Sequence, residues 1–184
     1  ITPKVQVEGL GYADSSLSLF NNSNDTNGAY LYLGKSRGTS LNSDVIVQDG
    51  DTIGGINFVA ADGVDRVSRI AGIFALIDGT PGADDTPGEL TFYTTADGAQ
   101  SLSSAAMVIK STGRVGINSA SPACLLDVSD NTDGAVGVIL KNAHATGYGV
   151  KINGASDGTR YALTVNNNAD NATFMRILGD GKVG

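Results

Sequence analysis

The chain has 184 residues and a mass of 18.7 kDa, with 25 Gly, no Trp, 41% hydrophobic and 17% charged residues. Gly at roughly twice the usual ~7%, with charge below the usual ~25%, excludes a helical bundle and a charge-rich disordered tail, and no apolar run approaches the ~18 residues of a membrane-spanning helix. A net charge of -7 repels nucleic-acid phosphates, and a single cysteine, Cys124, leaves no intrachain disulfide and no cysteine-based zinc cluster.

In chain order, short bursts of alternating or β-branched residues predict strands over 5–7, 16–20, 29–33, 45–47, 56–59, 70–77, 90–93, 107–109 and 150–152. Between them stand turn formers such as Asn27-Gly28, Asp49-Gly50, Asp62-Gly63, Asp78-Gly79, Asp97-Gly98, Asp133-Gly134 and Asp157-Gly158. The continuous apolar run 70–77 fits strand or helix by period alone. Gly72, the β-branched Ile70, Ile73 and Ile77, and the Gly/Pro-rich turn after it favour a buried strand. No other stretch has a helical period, so the expected fold class is all-β.

The chain repeats itself. Met107-Val108-Ile109-Lys110 through Gly113-Arg114-Val115-Gly116 matches Met175-Arg176-Ile177-Leu178 through Gly181-Lys182-Val183-Gly184. A second echo links Thr2-Pro3 and Val5-Gln6-Val7 to Ser121-Pro122 and Leu126-Asp127-Val128. Modules running from (Ser/Thr)-Pro to Gly-(Arg/Lys)-Val-Gly divide the chain at 1–120 and 121–184, the second incomplete. Ile1-Thr2-Pro3-Lys4 lacks the basic region and apolar core of a secretory signal, and the C-terminus stops inside a repeat; both ends are expected to be cut from a longer chain. Small β modules of this kind cannot bury their own apolar faces, so several identical chains intertwined about one axis are expected to share an interior.

These residues resemble a bacteriophage tail-fibre family. The resemblance runs through Gly50-Asp51-Thr52-Ile53-Gly54-Gly55-Ile56-Asn57-Phe58, Arg69-Ile70-Ala71-Gly72-Ile73 and Pro87-Gly88-Glu89-Leu90-Thr91-Phe92-Tyr93. It is strongest at Met107-Val108-Ile109, Gly113-Arg114-Val115-Gly116-Ile117-Asn118, Ser121-Pro122 and Leu126-Asp127-Val128, where Asn118 replaces the family's usual Gly. It covers residues 45–130 well and the remainder loosely. The resemblance implies an elongated repeat fibre on the virion, intertwined as a homotrimer of β-prism or triple β-helix type. It further implies contacts with other virion tail or baseplate proteins and, at a distal tip, with a host surface glycan or protein.

Candidate chemistry is sparse. His144 is the only histidine, and a Ser-His-Asp site would need Ser156 and Asp157 beside it. The carboxylates Asp84, Asp85 and Glu89, or Asp62 and Asp65, match a glycosidase pair in type but sit in loop-like surroundings. The segment from Ser23 to Gly28 imitates part of a calcium loop, yet its first ligand is Ser and its twelfth position Gly34. The stretch from Ala29 to Ser36 nearly fits a phosphate loop but alternates like a strand, and Gly9-Leu10-Gly11 lacks the third glycine of a dinucleotide fingerprint. Tyr12, Tyr30, Tyr32, Tyr93, Tyr148 and Tyr161 read as packing residues or sugar-stacking ones, and Cys124 as a buried small hydrophobe. No catalytic residue, cofactor or metal is expected. The expected function is structural: a virion tail-fibre segment that spaces and presents host-receptor-binding elements for adsorption. The alternatives are a fragment of a polysaccharide-degrading tailspike and a repeat module of a bacterial surface adhesin.

Overall fold

Alternating apolar residues between Gly- and Asp-rich turns become antiparallel strands when the turns have hairpin length. The computed structural model describes residues 4–11, 13–99, 102, 104–130, 138–140, 152, 160–166 and 170–184, and every regular element among them is a strand. Two compact units form, Ile1–Gly137 and Val138–Gly184. In the first, β1 (Thr52–Ala60), β2 (Ser68–Ile77), β3 (Gly88–Thr94), β4 (Ala105–Ile109), β5 (Val115–Ile117) and β6 (Leu126–Val128) lie in one sheet in chain order. The first four pairings are antiparallel and β5–β6 is parallel. The ambiguous run 70–77 is the strand that its Gly and β-branched residues favour; it forms most of β2 and pairs on both sides.

The β1–β2 connection is organised by Asp62. Its carboxylate accepts the N–H groups of Val64 and Asp65 and the Ser68 hydroxyl. The Asp65 and Val64 N–H groups, helped by Ser68, hold its pKa down at about 2. A depressed acid stabilises fully above its ordinary range and loses that contribution as pH falls through the folded value. The protection of the Val64 and Asp65 amides, taken against the intrinsic exchange rate at each pH, is therefore expected to hold at pH 5 and to fall as pH drops toward 2. An Asp62→Ala variant should lack that protection at both pH values.

The internal repeat is a structural one. After β4, the Lys110 N–H donates to Arg114 O (2.9 Å) and the Gly113 N–H to Lys110 O (2.8 Å), with Gly113 at φ 78°. In the second unit, β7 (Tyr161–Asn166) pairs antiparallel with β8 (Thr173–Leu178). There the Leu178 N–H donates to Lys182 O (2.8 Å) and the Gly181 N–H to Leu178 O (3.0 Å), with Gly181 at φ 88°. Both are three-residue hairpin loops closed by a left-handed glycine. Ile109 faces Val115 as Ile177 faces Val183. A Cβ in that left-handed position costs about 1–2 kcal/mol, so Gly113→Ala is expected to lower the thermal midpoint by roughly 2–8 °C in a chain of this size, read by circular dichroism.

Asn118 takes the same left-handed conformation (φ 54°), which asparagine tolerates. Its N–H donates to Ala106 O and its side-chain amide to Ser129 O (2.8 Å), so Asn118 ties β5 to the exit of β6.

Four expected strands are corrected. Residues 5–7, 16–20, 29–33 and 45–47 lie outside every strand. Alternation reports that a segment would suit a half-buried ladder, whereas a strand also needs a neighbour to bond, and one copy supplies these segments with no ladder among the described residues. Of the segment 150–152, residues 150 and 151 lie outside the described residues.

Candidate functional site: an uncovered apolar sheet face

The registers of the first sheet align its side chains into rows. One row crosses all six strands as Ile56, Ile73, Phe92, Met107, Ile117 and Val128. The next crosses them as Gly54, Ala75, Leu90, Ile109, Val115 and Leu126 on the same face. Phe58 opposite Ala71 extends the patch at the β1 end. Six strands at ~4.8 Å spacing make this apolar surface about 24 Å wide. It carries no charge.

The other face is covered by the chain itself. The Phe74 ring lies over glycine: a Cβ on Gly55 or Gly72 would stand 2.3 or 2.5 Å from it. Tyr93 meets Phe74 edge-on at 5.5 Å, a favourable aromatic geometry. Leu102 approaches Gly72, and the Ser119 carbonyl occupies the space a Gly116 Cβ would need. Thr91 and Val108 beneath these groups are buried. On the apolar face Leu33 lies over Gly54 at the β1 edge. Among the described residues Ile56, Phe58, Leu90, Ile117, Leu126 and Val128 stay open there, Leu126 at 60% exposure.

Among the described residues the buried hydrophobic side chains are Val47, Ile77 and Val108 alone.

Two ionic clusters brace the sheet. Asp51, 7% exposed, accepts from Lys35 (2.7 Å), bidentately from Arg37 (2.7 Å each) and from the Gln48 N–H (3.0 Å). Arg37 and Lys35 hold its carboxyl far below the ordinary range and anchor residues 35–37 beside the start of β1. Lys110 reaches Asp78 (2.5 Å) and Glu89 together, while Asp78 also accepts the Ser111 N–H (2.9 Å). Asp51→Asn is expected to speed exchange of the Arg37 amide, bonded to Val45 O, with little change at the centre of β2 and β3.

The sequence candidates fall elsewhere. Glu89 is held by Lys110, away from any pairing with Asp85, which bridges to Gly82 in a turn; Asp84 is exposed at φ 56°. Asp62 and Asp65 serve as turn acceptors. In the 23–28 segment, Asp25 accepts the Asn27 N–H. Among the described residues no three His, Cys, Asp or Glu side chains gather as a metal site. Residues 29–36 lie outside regular structure, with Tyr30 and Tyr32 exposed, their ring centroids 6.0 Å apart, and Lys35 bound to Asp51. Gly9 and Gly11 lie in an exposed loop. Tyr93 packs; Tyr161 opens β7; Tyr12, Tyr148, His144, Ser156 and Asp157 lie outside the described residues. Cys124 is a correction: its thiol is exposed and donates to Leu126 O, two residues on. Sequence reasoning anticipated an apolar face left for partner chains; what it missed is which residues form its rows, whose only signal is the alternation within each strand.

Comparison with known proteins yields a likeness of fold. No family model matches the chain, and no curated protein matches it in sequence. The carboxy-terminal domain of the bacteriophage T5 L-shaped tail fibre matches with a TM-score of 0.53 and 14% identity, over 87% of this chain and 68% of that one. The chain thus has an all-β, tail-fibre-like fold.

Proposed function

We propose that this chain is a structural segment of a bacteriophage tail fibre, a virion component that spaces and presents host-receptor-binding elements and performs no catalysis of its own. The observation that carries the reading is the two-row apolar face left open in a tail-fibre-like fold. Contiguous apolar surface of this extent marks a protein contact. A second and third copy are the occupants that satisfy it: three sheets, each with one apolar face, close a prism about a three-fold axis and leave the polar surfaces to water. The three-fold count follows the resemblance in sequence. Its outer partners are other tail or baseplate proteins and a host surface glycan or protein.

Light scattering on the purified chain tests the assembly. The expected mass is three times 18.7 kDa. A single-chain mass overturns the reading, and a two-chain mass overturns its three-fold count. Incubation with host capsule or lipopolysaccharide should release no reducing sugar; release abolished by Asp85→Asn would replace the structural reading with an enzymatic one.

A further inference from the structure

The face turned away from the apolar rows carries an aromatic platform. Phe74 stands opposite Gly55 of β1 and two residues beyond Gly72 on its own strand. Its Cδ1 and Cε1 atoms lie over Gly55, and its Cε2 and Cζ atoms over Gly72. Two opposite edges of the ring thus rest on bare backbone, so one side of the ring lies against the sheet and the other points outward. The Tyr93 ring stands at 81° to it, and Leu102 flanks it above Gly72. With Thr52, Arg69 and Leu76 these side chains line a cleft of about 270 Å³, just below the roughly 300–1,000 Å³ of small-molecule sites. Phe74 and Tyr93 are half-buried. No side-chain hydrogen bond or ion pair engages the Arg69 guanidinium, the Tyr93 hydroxyl or the Thr52 hydroxyl among the described residues. The first unit's other arginines are all bound: Arg37 to Asp51, Arg66 to Glu8 and Arg114 to Pro122 O. Arg69 is the one charged side chain on the lining.

We infer that this cleft binds an acidic sugar, a six-membered sugar ring that carries a carboxylate or a phosphate. The axial C–H groups of such a ring bear partial positive charge and are drawn to the negative face of an aromatic ring. Phe74 presents that face. Sugar hydroxyls need both donors and acceptors around them, and the hydroxyls of Tyr93 and Thr52 serve in either sense. The planar fork of Arg69 matches a carboxylate or phosphate and favours an anionic ring over a neutral one. On the same face Glu89, opposite Leu76, is already neutralised by Lys110. The inference rests on the fibre reading and deepens it: with the apolar rows turned inward, this face looks outward, and each chain presents one platform to a host surface.

A printed array of glycans bearing uronic acids, sialic acids or sugar phosphates, each beside its neutral counterpart, tests it with the labelled full chain. Acidic glycans are expected to bind at least about tenfold better than neutral ones, the yield of one charge-assisted contact. The carboxylated and phosphorylated spots tell which anion is taken. Arg69→Gln should erase the preference, and Tyr93→Phe should weaken binding while keeping the ring. Both variants should retain the parent's mass and melting temperature, since neither removed group is bonded within the chain. A silent array, equal binding of neutral and acidic glycans, or a preference that survives Arg69→Gln overturns the inference. Light scattering on the same sample separates it from the fibre reading. Three-chain mass with a silent array sinks the sugar site alone, and one-chain mass with acidic-glycan binding sinks the assembly alone.

Discussion

Ile117→Asp is expected to convert the assembled protein to single chains. In one copy Ile117 is 41% exposed as the fifth member of the six-residue row, between Met107 and Val128. If that exposure were its working state, a charge there would change stability by only about 0.5 kcal/mol. On a face buried against other copies, the carboxylate is stripped of water without a partner, at several kcal/mol per chain. Repeated around a symmetric contact, that cost exceeds typical stability margins of about 5–15 kcal/mol. Sedimentation should show the variant at 18.7 kDa or unfolded, while Ala83→Asp, on an exposed turn, keeps the mass of the parent. An Ile117→Asp protein that assembles and melts like the parent would refute the open face as the contact.

The second large effect is expected for Lys110→Met. The ammonium sits between Asp78 and Glu89, all three partly buried. Burial pushes the Asp78 pKa up, but the bonds from Lys110 and Ser111 prevail and bring it below the ordinary value. Burial likewise lowers the Lys110 pKa, and the two carboxylates prevail and raise it. Methionine of similar length leaves two carboxylates facing each other without a cation, a loss of about 2 kcal/mol or more, or roughly 4–8 °C in thermal midpoint. A Lys110→Met/Glu89→Gln double variant should recover part of it. The sign of the pH dependence is fixed by the two shifts. Asp78 contributes fully above about pH 3.9 and progressively less below it; Lys110 contributes fully below about pH 10.4 and loses its contribution as pH rises past its raised value. The stability difference between parent and Lys110→Met should therefore be flat between those limits and shrink outside them. A difference that varies steeply near neutrality would contradict the assignment.

Local structure was far more legible in the sequence than assembly. Ile70, Ile73 and Ile77 with Gly72 identify a strand because β-branching and a bare backbone both suit a pleated ladder. The repeat between 107–116 and 175–184 predicts one hairpin twice, and the paired main-chain bonds at Lys110 and Leu178 are its realisation. The parallel course of β6 was hidden, since Leu126-Asp127-Val128 reads the same in either direction. The rows of the apolar face were hidden as well: they depend on which residues pair across five successive ladders, and no single-strand pattern carries a register. Glu89 and Asp85 looked like a carboxylate pair because sequence neighbours were weighed without the lysine that the β3–β4 pairing brings to one of them.

The one parallel pairing in the first sheet governs the direction in which the polypeptide departs. Four hairpin reversals return β5 to the heading of β1, and a fifth would have sent the chain back over its own path. By running β6 alongside β5, the link through Ser121 and Pro122 lets the backbone leave with the heading it had on entry. A unit wired this way transmits polarity: each successor can be added in the same sense as its predecessor, and a pull applied at one terminus is borne along the strands as shear instead of unzipping them one hydrogen bond at a time.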